Sequence, residues 1–292
     1  MSAQFRWDGT PLSLPFLDSV AGDLSKLAKP GTARFNFTIN SIIIRHFLGD
    51  DWFRENLLPD ARPDSFFRPD FSNTEADPRY SALTLELAEN LLNLQSVRGF
   101  HRCLDHMAPR QMQSGLAELQ IGQVLRLRGV PFRYIEENEP TTVDLMLQAP
   151  SGDECLGEIK CKYEEVEYSD RTLTDALATA RKQIGKGNSG VVFVKVPLAW
   201  VDVLNAAANS PPDIRLPARI VAAAKAAMLQ SARIKKVIFY VFHHAFDPNW
   251  GLSATHATME MTNPQLSEIS PWRGELLNGE GTWVRMPDLA KR

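Results

Sequence analysis

Apolar residues recur every three or four positions at Leu83, Leu87, Leu91 and Leu94, the spacing of one helix face. They predict a helix that starts near Ser81 and runs towards His106, with Pro109 ending it. A second helix is predicted over Ser114–Arg128, with Leu116, Leu119, Val124 and Leu127 inward and Gly129 at its C-terminal stop. The period then changes to two. Phe132–Ile135 reads as a short strand, and Thr142–Gln148 alternates Val143, Leu145 and Leu147 against Asp144, Met146 and Gln148. Ala149–Asp153 supplies a turn and Cys155–Tyr163 the returning strand. Leu173, Leu177, Ala180 and Ile184 mark a helix, and Val191–Val196 is the apolar run of a buried central strand. An Ala-rich helix over Leu216–Ala232 and a strand over Val237–Phe242 follow. This order implies an α/β fold, a mixed sheet with helices on its faces.

The start of the chain is different. Its first 80 residues carry 12 of the 26 aromatics, without clear periodicity. Pro59, Pro63, Pro69 and Pro78 interrupt it, so Phe66–Phe71 cannot lie in one continuous helix. An aromatic-rich, largely helical accessory region of short elements is expected over residues 1–108, followed by the main domain over 109–292.

Composition adds exclusions. At 44% hydrophobic and 23% charged residues, the chain is neither disordered nor fibrous. No apolar run reaches the roughly 18 residues of a membrane span. Trp7, Asp8 and Gly9 stand where a signal peptide would have its apolar core. Cys103, Cys155 and Cys161 are too few for a disulfide framework, which fits a reducing, cytoplasmic compartment. The net charge of −3 excludes a polycation, yet residues 98–236 hold 19 Lys/Arg against 16 Asp/Glu. A polyanion contact is expected in that middle third.

Chemistry concentrates on the two predicted strands around the turn. Period-two alternation puts Glu158, Lys160 and Lys162 on one face and Ile159 and Cys161 on the other. Matching apolar faces pairs Val143 with Cys161, Leu145 with Ile159 and Leu147 with Gly157, which sets Asp144 opposite Lys160 and diagonal to Glu158. That register needs an odd-length loop or a bulge. Two carboxylates on neighbouring strands offer hard oxygen ligands to magnesium. A lysine beside them can orient or deprotonate a water, or neutralise charge developing on a phosphate.

These residues, in this order, resemble the PD-(D/E)xK nuclease superfamily, the restriction-endonuclease-like fold. The resemblance covers roughly Ser114–Pro197, and Glu158-Ile159-Lys160 is the chain's sole acid-x-Lys match. Val143, not proline, precedes the first aspartate. The resemblance implies a restriction-endonuclease-like core with Asp144, Glu158 and Lys160 catalytic, and Mg²⁺ (or Mn²⁺) held by Asp144 and Glu158. It adds Glu118 on the preceding helix as a further metal-site acid and Gln183 on the following helix as a site residue. Lys162, Arg181, Lys182, Gln183 and Lys186, with Arg126 and Arg128, are the candidates for nucleic-acid contact.

Other patterns carry less. Gly185–Gly190 matches G-x-G-x-x-G but joins a helix to a strand, the reverse of a dinucleotide site. His243, His244 and His256 have no cysteine near them in sequence and read as structural or exposed rather than as zinc ligands. The acidic run Glu164-Glu165-Val166-Glu167 reads as a solvated loop, and no G-x-S-x-G elbow occurs. The expectation is a metal-dependent nuclease acting on nucleic acid, DNA favoured, in restriction, defence or repair. The rival is a non-catalytic nuclease-like scaffold that binds a protein or nucleic-acid partner, the protein partner through residues 1–97. A homodimer is compatible with either.

Overall fold

A computed structural model describes residues 7–58, 60–62, 65–67, 78–108, 111–136, 139, 142–162, 166–204, 213–247 and 251–289. Parts of Phe66–Phe71 and of the acidic run at 164–167, and the proline expected to close a helix at 109, lie outside them. Among the described residues the α-helices are α1 (Leu14–Ser25), α2 (Ala33–Leu57), α3 (Pro78–Leu94), α4 (Phe100–Asp105), α5 (Met112–Leu127), α6 (Asp170–Ile184), α7 (Ala218–Leu229) and α8 (Met286–Leu289). The strands are β1 (Phe132–Tyr134), β2 (Leu145–Gln148), β3 (Glu154–Cys161), β4 (Gly190–Lys195), β5 (Asp202–Leu204), β6 (Asp213–Arg215), β7 (Ile234–Asp247) and β8 (Gly251–Thr262). They form one sheet in the order β1-β2-β3-β4-β7-β8-β6-β5. The β1-β2-β3 meander is antiparallel, β3-β4-β7 is parallel, and β8 returns antiparallel to β7. The fold is α/β with a mixed sheet between helical layers.

Each face has its own apolar cluster. Leu145, Leu147, Ile159, Phe193 and Ile238 pack with α1–α5 on one side. Leu156, Val192, Val194, Val237 and Phe239 pack with α6 and α7 on the other. The first cluster joins Leu17, Ile43, Phe47 and Leu87 to Leu116, Leu145 and Tyr240. The N-terminal region and the sheet thus share a core. Helix α5 lies inside this layer and is buried from Gly115 to Leu125. Helix α6 follows its pattern more simply: Ser169 accepts from Thr172 N at 3.1 Å as N-cap, Asp170 opens the first turn, and Leu173, Leu177, Ala180 and Ile184 face in.

Four expectations change. The N-terminal region is not built of short elements alone, because the first stretch of α2 runs unbroken from Ala33 to Leu48 before Gly49, at φ +84 and ψ +164, divides the helix. The single helix over 81–106 is two helices. Gly99 takes φ +79, and a Cβ there would stand 2.4 Å from the Tyr134 carbonyl. Only glycine suits that close, left-handed approach. The strand expected from Thr142 begins at Leu145, and Val143 turns into the opposite cluster from Leu145. The hairpin register is displaced by two residues, with Leu145 opposite Gly157 and Leu147 opposite Cys155. The missing side chain at Gly157 explains the choice: its Cβ position lies 2.7 Å from Leu147 Cδ2 and 3.0 Å from Leu145 Cβ. The displacement preserves parity, so Glu158 keeps its expected face, and residues 149–153 form an odd-length loop.

Candidate functional site

Strands β1 and β2 stop where β3 runs on. The β2–β3 ladder ends at Leu145 and Gly157, while β3 continues against β4 through Cys161. Asp144 sits at a bend just before β2, and its amide donates to the Gly157 carbonyl at 3.2 Å. Its carboxylate then takes the place of a strand: Oδ2 accepts from Ile159 N at 2.8 Å. Both helical layers reach this gap, α4 and α5 from one side and α6 from the other.

Glu158 is almost fully buried on the α6 face of β3. Lys160 Nζ donates to Glu158 Oε1 and to Gln183 Oε1, each at 2.6 Å. Gln183 Nε2 donates in turn to the Thr142 carbonyl at 3.3 Å, tying α6 to the bend. Glu158 Oε2 is buried and has no hydrogen-bond partner. Burial, then the Asp144 charge, pushes the Glu158 carboxyl up to about 8, against the pull of Lys160. Burial, then the Glu118 charge, pushes Asp144 up to about 6, against the Ile159 amide and Arg102. The fold brings Asp144, Glu158, Lys160 and Gln183 close together.

Glu118 is close enough to repel Asp144 but belongs to another group. Its Oε1 is 2.7 Å from His106 Nδ1, and its Oε2 accepts from the Cys103 thiol at 3.7 Å. The bond between His106 and Glu118 raises the His106 pKa. Among the described residues no set of three Asp, Glu, His or Cys is gathered for a metal ion, and Glu118 is turned to His106 and Cys103. It is carried by α5, across the sheet from the face that holds Glu158. Magnesium retains waters and often takes only one or two carboxylates. Glu158 fits that smaller demand through its unsatisfied buried Oε2, and Asp144 would join it by giving up a bond to Arg102 or to the Ile159 amide.

The basic candidates divide. Lys162 is half-buried, and desolvation followed by the Lys160 charge lowers its pKa. Lys182 and Lys186 are exposed, and the Arg181 carbonyl accepts from Arg233 Nη1 at 3.4 Å. Arg126 and Arg128 lie elsewhere. Arg126 lies in the last turn of α5 and Arg128 caps it, shortly before Pro131, whose carbonyl accepts from Gln148 N at the hairpin end of β2.

Two residues escaped the sequence reading. Arg102 Nη2 donates to Asp144 Oδ1 at 2.8 Å, and its Nη1 reaches the carbonyls of Ile135, Val143 and Asp144 at 2.9, 3.3 and 3.3 Å. His106 is its neighbour one turn on. The signal available was their i, i+4 spacing just after Gly99, but only a broken helix places them here. No known family, curated protein or solved structure matches this chain.

Proposed function

We propose that the protein is a metal-dependent nuclease with a restriction-endonuclease-like core, hydrolysing phosphodiester bonds with Asp144, Glu158 and Lys160. One observation carries the reading: a fully buried carboxylate with an unsatisfied oxygen and a half-buried one, both with raised pKa values, lie where β2 parts from β3, and a lysine stands beside the first. The supporting context is the order α5-β1-β2-β3-α6-β4, with the antiparallel meander passing through α6 to a parallel strand. Asp144 and Glu158 would hold Mg²⁺ or Mn²⁺, which when bound polarises a phosphate oxygen and acidifies water. Lys160 offers its ammonium to charge developing on the phosphate, and Gln183 keeps it directed there. Lys162 adds a further cation beside Lys160, and the exposed Lys182 and Lys186 offer the backbone contacts that give affinity without sequence preference.

A second reading has one observation in its favour. Both oxygens of Asp144 are already engaged, by Arg102 and the Ile159 amide, as in a purely structural bridge. That is the non-catalytic scaffold. Cleavage of mixed DNA and RNA substrates with Mg²⁺ or Mn²⁺ separates the two. The nuclease reading expects activity in wild type, its loss in Lys160→Ala with metal binding retained, and loss of both in Asp144→Asn. Equal activity in wild type and Lys160→Ala would remove Lys160 from the mechanism. A wild type that neither binds metal nor cleaves any substrate would leave the scaffold.

A further inference from the structure

Each acid around the gap is matched by one basic group of the chain. Glu158 has Lys160 at 2.6 Å, Asp144 has Arg102 at 2.8 Å, and Glu118 has His106 at 2.7 Å. The Arg102 pair differs from the others in how it is built. Arg102 comes from α4, remote in sequence from the strand it contacts, and its side chain is only 13% exposed. Three carbonyls, of Ile135, Val143 and Asp144, hold one guanidinium nitrogen at the mouth where β1 and β2 diverge. The other nitrogen is thereby aimed at Asp144 Oδ1. The charge of Arg102 also falls on Glu158 and Glu118.

We infer that Arg102 is the internal counter-ion of the metal-free site, a positioning residue that aims Asp144 and is displaced from Asp144 Oδ1 when a divalent cation binds. This deepens the two-carboxylate reading above and rests on it. The argument is one of charge. Asp144 and Glu158 repel each other in a poorly hydrated gap, and a buried carboxylate without compensation is costly. A guanidinium fixed by backbone carbonyls supplies that compensation without moving. It also competes with a metal for the same oxygen. The ladder of Asp144 N to Gly157 O and of Oδ2 to Ile159 N stays in place during the exchange, so only one oxygen changes partner.

The test uses the full chain and two readouts besides activity. Thermal unfolding in chelator compares wild type, Arg102→Met, Asp144→Asn and the double variant. Arg102→Met is expected to lower Tm, and Asp144→Asn to abolish most of that loss, because the two act as one pair. Calorimetric titration with Mn²⁺ then reads the competition. Arg102→Met is expected to bind Mn²⁺ tighter than wild type by roughly tenfold, the scale of a competing charge pair. Arg102→Lys keeps a charge but loses the fork, and should fall between. Mn²⁺ binding that is equal or weaker in Arg102→Met, with wild type binding normally, overturns the inference and leaves the nuclease reading standing. Binding in Arg102→Met but not in wild type supports the inference and removes the nuclease reading for the native chain. Absence of binding in both removes both. Additive Tm losses in the double variant would also overturn the pairing, leaving Arg102 a bond to carbonyls alone.

Discussion

Glu158 shows at the scale of one residue how the site stores its cost. Its carboxyl stands at about 8 against an ordinary 4.5, first because it is buried and then because Asp144 is charged. The folded state therefore favours the protonated acid. For a raised pKa, the stabilisation relative to the unfolded chain is complete below about pH 4.5 and is lost as pH climbs through 8. Asp144, at about 6, adds the same sign over a lower window. Chemical denaturation in chelator at pH 5, 7 and 9 should show wild type losing stability relative to Glu158→Gln as pH rises. A constant difference between the two proteins would contradict the burial of this charge. Saturating Mn²⁺ should reverse the trend, since metal binds the ionised pair more tightly as protons leave. The residues of the pair were legible in the sequence because charge appears where period-two burial predicts apolar side chains. Arg102 was not, because nothing in Phe100-His101-Arg102 says which strand a short helix will meet.

At the scale of elements, the site depends on where chains stop. Asp144 reaches Ile159 only because β2 begins one residue later, and Arg102 reaches Asp144 only because α3 and α4 are separate helices. Helical periodicity alone bridges that break, since Leu94 and Phe100 are both buried in the same cluster. The deciding fact is tertiary: Tyr134 N donates to the Arg98 carbonyl at 3.0 Å, and the Tyr134 carbonyl crowds Gly99. Gly99→Ala should therefore cost about 2 kcal/mol or more, from the left-handed backbone and the clash together. It should also move α4 and with it Arg102, so the variant should show an altered Mn²⁺ affinity as well as a lowered Tm. Stability loss with unchanged metal binding would show that α4 docks independently of Gly99. Register followed a similar logic. Apolar matching alone allowed displacement by two residues without moving any side chain to the other face. Only the close fit of Leu145 and Leu147 over Gly157 selects between the two.

At the scale of the whole molecule, the segment after β8 closes the same helical layer that carries Arg102 and Glu118, and it is held by buried polar groups that hydrophobic patterning cannot find. Glu89 on α3 accepts from Trp283 Nε1 at 3.1 Å and from Met286 N at 2.9 Å, while Asn93 exchanges two hydrogen bonds with the Val284 backbone. Near the β7–β8 pair, Glu260 accepts from Leu276 N and Leu277 N and from Lys236 Nζ at 2.7 Å. Lys236 is buried, with a side chain only 2% exposed, so its ammonium depends on that one carboxylate and on Thr262 Oγ1 at 3.3 Å. Removing one partner of such a pair leaves a buried charge uncompensated, whereas replacing both by apolar groups is often tolerated. Glu260→Ala should thus lose about 3–5 kcal/mol and expose residues 263–289 to limited proteolysis, by the scale measured for broken buried pairs. Lys236→Met combined with Glu260→Met should recover much of the loss but not the anchoring of Leu276 and Leu277, whose amides would remain without an acceptor. The pair belongs to β7 and β8, beyond β4 from the gap at Asp144. Mn²⁺ affinity, measured below the lowered Tm, is therefore expected to stay at the wild-type value in both variants. A parallel fall in metal affinity would mean that the C-terminal segment, through α3 and α5, helps to set the geometry of the carboxylates as well as the stability of the fold.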